Sequence, residues 1–175
     1  MVSFQENLGD DAHAENDATA FRSLVEMLER SGAPFVIHYH AVMRTVEEAE
    51  RTLTFDVARI MKTVAFRTRS GVLVLAALRG TSRVDYPRLA ALIDVNRRDL
   101  YPLSPEEVRE RLGVKAGSVS PLPLRKDITI LIDDDVLTIL PTVYCGIGRP
   151  DRTLEMAPDD LVKLSGGRVG TFSRQ

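Results

Sequence analysis

The sequence predicts a mixed α/β domain: a curved mixed β-sheet or barrel with helices packed around it. Three observations carry this. Helical and strand patterns interleave irregularly along 175 residues, unlike the regular alternation of a doubly wound sheet. Two apolar segments flank Arg69-Ser70-Gly71, the pattern of a β-hairpin with glycine in the turn. The run from Gly71 to Leu78 lacks polar alternation, as expected of a strand covered on both faces. The length suits one domain rather than two. Residues 1–17 are expected to be a mobile tail and residues 18–175 a single folded unit.

From Thr19 to Arg30, Phe21, Leu24, Val25 and Leu28 recur at helical spacing, and Gly32 stands where a C-cap belongs. Pro34 to His40 sets Phe35, Ile37 and Tyr39 against Val36, His38 and His40, a strand with one buried face. Thr45-Val46-Glu47-Glu48 is a capping box that predicts a short helix to about Leu53. The hairpin strands follow, Met61 to Thr68 and Val72 to Ala77. A helix is expected over Pro87 to Asp94 with Asp85 near its start. Another starts at Ser104-Pro105-Glu106-Glu107 and ends at Gly113. Strands are expected at Ile128–Asp133, Thr142–Cys145 and Arg152–Met156, then a helix at Pro158–Leu164 and a final strand at Val169–Phe172.

Composition narrows the function. The chain is 44% hydrophobic and 27% charged, and no apolar run approaches the roughly 20 residues that span a bilayer. The acidic start, MVSFQENLGDDAHAEND, has neither a secretory nor a mitochondrial pattern, and the single Cys145 excludes an internal disulfide framework. These features point to the cytoplasm. A net charge of −2 argues against a protein that coats DNA or RNA, though a local patch could still grip an RNA end. Basic pairs occur at Arg67/Arg69, Arg79/Arg83, Arg97/Arg98 and Arg125/Lys126, each readable as ordinary solvated surface.

The common chemistries have little support. His38 and His40 share one strand face, but a zinc site needs a third ligand; His13 lies in the expected tail and no cysteine pair exists. Asp133-Asp134-Asp135 reads by default as a solvated turn. Cys145 as nucleophile would define a small-molecule hydrolase, yet a lone small cysteine is more often simply buried. There is no G-x-S-x-G elbow and no phosphate-binding P-loop. Three features remain. Lys62 stands at the start of an apolar strand, where it could equally be an exposed edge residue. Lys115 to Pro121 is a loop of small residues that would let backbone N–H groups approach a ligand. The turn Cys145-Gly146-Ile147-Gly148 is either a second close-approach segment or only a bend.

In combination and order, these segments resemble the YbaK/EbsC family, the fold of free-standing aminoacyl-tRNA deacylases and of the prolyl-tRNA synthetase-associated editing domain. Thr45-Val46-Glu47-Glu48-Ala49 resembles the family's T-x-E-E-A helix start, and Ile60 to Phe66 its I-V-K-T-L-x-F strand. Ser104 to Val108, Gly113, and Gly117-Ser118-Val119-Ser120-Pro121 resemble its S-P-E-E-V, T-G and G-S-V-S-P elements. Ile132-Asp133 with Val136-Leu137, the glycine turn, and Ala157 to Leu161 complete the likeness, which runs from Phe21 to Phe172. Two departures bear on the substrate. Leu122-Pro123-Leu124 stands where the family often has Phe-Gly-Leu, and Val143 to Thr153 lacks the histidine of some alanine-editing members.

The resemblance implies a trans-editing aminoacyl-tRNA deacylase acting on a mischarged tRNA(Pro) or a related tRNA. It implies that Lys62 is the essential lysine. Gly117, Ser118, Val119, Ser120 and Pro121 would hold the ester carbonyl, Gly146 and Gly148 would border the pocket, and His40, Thr45 and Asp133 are further candidates. No metal or cofactor is implied. The implied partners are the aminoacyl-tRNA 3′ end and an aminoacyl-tRNA synthetase, with no DNA and no membrane, in a monomer or homodimer. The alternative is a non-catalytic tRNA- or synthetase-binding module of the same fold. Either way, Lys62 and the loop at Gly117 should face one another across a single cleft.

Overall fold

The computed structural model describes residues 6–42 and 54–175. The helix expected at Thr45 therefore lies outside the described residues. Among the described residues, four helices, α1 (Glu6–Ser31), α2 (Tyr86–Leu92), α3 (Pro105–Leu112) and α4 (Pro158–Ser165), accompany ten strands. These are β1 (Phe35–Tyr39), β2 (Met61–Thr68), β3 (Leu73–Arg79), β4 (Arg83–Val84), β5 (Leu100–Pro102), β6 (Thr129–Asp133), β7 (Val143–Gly146), β8 (Arg152–Met156), β9 (Arg168–Gly170) and β10 (Ser173–Arg174).

The main sheet has the order β5-β2-β3-β6-β9 and is mixed: β2 pairs antiparallel with β3 and β5, while β6 runs parallel to β3 and β9. A second, antiparallel sheet has the order β1-β8-β7, and β4 pairs with β10. One parallel bridge, Ile60 to Tyr144, joins the two sheets. The expected alternative of a barrel is corrected here. A single bridge does not continue the ladder between β7 and β2, so the curved surface stays open.

Strand β3 is the spine. Leu73, Leu75 and Ala77 enter a core shared with α1, α3, α4 and the inner face of β1-β8-β7. Val74, Ala76 and Leu78 enter a second core with Leu89 of α2 and Phe172. Both faces are covered, which is why the run shows no alternation. The β2–β3 turn places Gly71 at φ +91°, a conformation that favours glycine. Helix α3 has the full capping box: Ser104 accepts from the Glu107 N–H, Glu107 accepts from the Ser104 N–H, and Gly113 ends the helix at φ +70°.

Two local expectations change. Helix α1 opens at Glu6 rather than Thr19. Near the expected start, Asp17 is nearly buried and pairs with Arg109 of α3 at 2.5 Å. The expected strand at Val169–Phe172 is split into β9 and β10, because Phe172 leaves the sheet edge and is fully buried in the second core.

Candidate functional site

Strand alternation assigns the faces. On β2, Met61 and Ala65 point into the first core, so Lys62 lies on the opposite face with Val64 and Phe66. On β7, Val143 and Cys145 point into the first core, leaving Tyr144 and Gly146 on the other face. The Ile60–Tyr144 bridge aligns the two strands. Lys62 and Gly146 each stand two residues beyond that bridge along their own strands. Thr153 is the Cα partner of Gly146 on β8, and His38 is the partner of Thr153 on β1. Gly146, Thr153 and His38 thus form one row across the second sheet, and His40, just past the end of β1, reaches Thr153 by a hydrogen bond.

The small-residue loop crosses this row at Gly146. A Cβ built on Gly146 would lie 2.7 Å from the Val119 carbonyl oxygen and 2.9 Å from the Ser118 carbonyl carbon and oxygen. Only glycine lets the loop backbone descend so far. The Gly148 N–H donates to the Ser118 carbonyl at 2.8 Å, fastening the loop to the end of β7. Gly148 itself, at φ +84°, backs onto Ala20 and Phe21 of α1, so it anchors the loop from behind.

Within the loop, Gly117 makes an exposed turn at φ +89°, while Ser118, Val119, Ser120 and Pro121 are buried. The Val119 side chain enters the first core and the Ser120 hydroxyl accepts from the Leu122 N–H at 3.1 Å. The Ser118 N–H is spent on the Lys115 carbonyl at 3.0 Å. Among the described residues the Val119 and Ser120 N–H groups have no acceptor, so they are the donors that the loop can offer. Leu122, the first residue of the departure at Leu122-Pro123-Leu124, is fully buried in the first core, and Leu124 packs against that core.

The Lys62 ammonium is half-buried and donates to the Gly80 carbonyl at 3.0 Å. Burial, and then the positive charge of Arg83, hold its pKa below the ordinary lysine value. Gly80 is itself fixed: its N–H donates to the Ile60 carbonyl at 2.7 Å, and a Cβ there would meet that same oxygen at 3.0 Å.

His40 is held by both ring nitrogens. Its Nδ1–H donates to the Ala41 carbonyl at 2.8 Å, and its Nε2 accepts from the Thr153 hydroxyl at 2.9 Å. Beside it, Glu155 joins three partners: His38 Nε2 at 2.7 Å, Arg59 at 3.0 Å and the Thr142 hydroxyl at 2.5 Å. Burial acts to raise the Glu155 pKa; the bonds from Thr142 and His38 and the charges of His38 and Arg59 outweigh it, and the net direction is down. Arg59 also donates to the Thr142 carbonyl and hydroxyl and lies 4.6 Å over the Tyr144 ring, which stacks on Phe55. Sequence reading did not single out Thr153, Glu155 or Arg59. The β7–β8 register sets Thr153 opposite Gly146 and Glu155 opposite Tyr144, and Arg59 joins them from the turn before β2 through Thr142 and Glu155.

Two expected residues do other work. Asp133 is fully buried, and its carboxylate accepts from the Phe172 and Ser173 N–H groups and the Ser173 hydroxyl, at 2.7, 2.7 and 2.8 Å, and from the Asp135 N–H at 3.2 Å. It clasps the C-terminal segment, so the default picture of a solvated triple aspartate is corrected at this residue. Cys145 is buried in the first core, and burial pushes its thiol up to about 12, a poor setting for a thiolate nucleophile. Thr45 lies outside the described residues. Among those residues no group of three His, Cys, Asp or Glu is placed to hold a metal, and no helix is long and apolar enough to cross a membrane.

The class defined so far is an open, mixed α/β domain with a lysine at the start of β2, a backbone-donor loop and a glycine crossing at the end of β7. The sequence pattern of the aminoacyl-tRNA editing domain matches residues 40–164, and the chain belongs to that family. It is 28% identical over 134 residues to the uncharacterized protein YwhH of Bacillus subtilis, covering 77% of this chain and 83% of that one. It is 26% identical over 149 residues to the proline–tRNA ligase of Geobacillus sp. (strain WCH70), covering 79% of this chain but only 25% of the ligase. Among solved structures, the hypothetical protein APE2540 superposes with a TM-score of 0.78 at 26% identity, covering 86% of this chain and 99% of that one. A structure described as "a putative trans-editing enzyme for prolyl tRNA synthetase" superposes with a TM-score of 0.75 at 26% identity, covering 89% and 98%.

Proposed function

We propose that the protein is a free-standing aminoacyl-tRNA deacylase that hydrolyses the ester of a wrongly charged tRNA, a mischarged tRNA(Pro) or a related one, in the cytoplasm. The observation that carries this reading is the Ser118–Val119 backbone laid over Gly146, at the end of the strand that the Ile60–Tyr144 bridge ties to the start of β2, where Lys62 stands. Water attacks the ester carbonyl carbon, the bond to the ribose oxygen breaks, and the departing ribose oxygen takes the proton that water gives up. The carbonyl oxygen becomes negative on the way. The free N–H groups of Val119 and Ser120 are suited to receive it, and a half-buried ammonium at Lys62 stabilises nearby negative charge more strongly than a solvated one would.

A separate site is useful because a synthetase pocket discriminates by only about 1–3 kcal/mol per methylene, so smaller or similar amino acids are charged in error. The family membership and the likeness to a trans-editing enzyme support the reading. The test is a panel of mischarged tRNAs, including Ala-, Cys- and Ser-tRNA(Pro), incubated with the protein alone. Accelerated release of at least one amino acid is expected. Tight binding to the panel without any release would instead identify a binding module.

A further inference from the structure

Most arginines that stand in pairs along the sequence are neutralised in the fold. Arg67 meets Glu107 at 3.1 Å, Arg69 meets Asp99 at 2.9 Å, Arg79 meets Asp135 at 2.7 Å and Arg125 meets Asp127 at 3.0 Å. Arg83, Arg97 and Arg174 differ: none forms a salt bridge with a carboxylate among the described residues. They also converge. Arg83 and Arg174 are Cα partners in the β4–β10 pair, so their side chains leave the same face, away from buried Val84. Like charges directly opposite one another on paired strands are destabilising, so folding gives no reason for this placement.

Arg174 and Arg97 line a surface cavity of about 240 Å³ together with Asp85, Tyr86 and Pro87. The Arg97 guanidinium lies 4.3 Å over the Tyr86 ring, which orients it while leaving its N–H edge available. Asp85, the acid of this cavity, is already engaged: it accepts from the Arg88 N–H at 3.1 Å and faces the Arg88 side chain at 3.9 Å. At the other end, the Lys62 ammonium donates to the Gly80 carbonyl at 3.0 Å, three residues along the chain from Arg83. A strip of cations therefore runs from Lys62 through Arg83 and Arg174 to Arg97, on a chain whose net charge is −2.

We propose that the strip Arg83–Arg174–Arg97 is the docking surface for the phosphate backbone of an RNA acceptor stem, guiding its 3′ end to Lys62. The proposal rests on the reading of the substrate as an aminoacyl-tRNA. Guanidinium groups match phosphate in fork geometry, and a local cationic strip binds a polyanion although the whole protein is slightly acidic. The occupant is RNA rather than an acidic protein because the strip leads to Lys62, the lysine that the proposed reading sets at the ester.

The experiment titrates a fluorescent RNA hairpin ending in 3′-CCA against the full chain over a series of salt concentrations. Arg97→Ala and Arg174→Ala should each weaken binding and lower the slope of log K against log salt by about one, and by about two together. Arg125→Ala, on a neutralised pair, should change neither. No variant should melt below the parent, since these side chains stand at the surface, and Arg174→Ala, which removes a charge facing Arg83, should melt at or slightly above it. Unchanged affinity and slope in both strip variants, or an equal effect from Arg125→Ala, overturns the proposal. So does a parent protein that binds poly-glutamate but not the hairpin. A parent that deacylates mischarged tRNA with the same KM in both strip variants refutes the strip alone. An arginine-dependent slope without any deacylation sustains the strip and refutes the editing reading.

Discussion

Replacing Gly146 with alanine tests the crossing on which the candidate site is built. The new methyl would stand 2.7 Å from the Val119 oxygen and 2.9 Å from the Ser118 carbonyl. These are backbone atoms, so no side chain can swing aside. Restoring ordinary contact at about 3.5 Å requires the loop to rise by about 0.6–0.8 Å. Overpacking of this kind costs about 1–3 kcal/mol, which in a chain of this size lowers the melting temperature by about 2–4 °C for each kcal/mol. A displacement near 1 Å of positioned donors costs on the order of a hundredfold in rate. Gly71→Ala is the control: its φ of +91° strains any other residue, but nothing lies within 4 Å and the hairpin turn is remote from Gly146. Thermal melting and single-turnover deacylation should show both variants destabilised and only Gly146→Ala slowed. A Gly146→Ala protein that melts and turns over like the parent would refute the crossing.

The remaining expectations concern groups around the cleft. Cys145, with its thiol raised to about 12, should resist iodoacetamide at pH 8 in the folded protein and react only on unfolding; rapid native alkylation would contradict its burial. Asp133→Ala should lower stability by about 3 kcal/mol or more in denaturant titration, since the buried Phe172 N–H and its neighbours lose their acceptor. A loss under 1 kcal/mol would contradict the clasp. The bond from Arg79, then its charge and the Thr138 hydroxyl, hold the Asp135 carboxyl below its ordinary value against burial. Its contribution is therefore present above the ordinary aspartate range and is lost as pH falls through the lowered pKa. The melting temperatures of the parent and Asp135→Asn should differ at neutral pH and converge in acid; a constant gap would contradict this.

What the sequence disclosed was local. The capping box at Ser104, the C-cap at Gly113 and the turn at Gly71 each depend on neighbours a few residues away, and the unbroken apolar run of β3 reports two covered faces without revealing which elements cover them. The glycines at 146 and 148 looked alike, yet one admits a crossing loop and the other anchors it against α1. That difference depends on segments some thirty and more than a hundred residues away. Asp133 looked solvated because its acceptance of the C-terminal N–H groups spans forty positions. The row through Thr153 and His38 exists only through strand register, and the unpaired arginines are distinguished from paired ones only by where carboxylates fall in space.

In the proposed function, the Lys62 ammonium acts on the reacting ester. The decisive comparison is the single-turnover rate of the parent and Lys62→Ala on whichever mischarged tRNA the parent cleaves, with circular dichroism confirming equal folding. At about 1.4 kcal/mol per decade, loss of one partly desolvated ammonium should slow release by roughly two to three decades. A variant that folds normally and releases the amino acid at the parental rate would contradict the account.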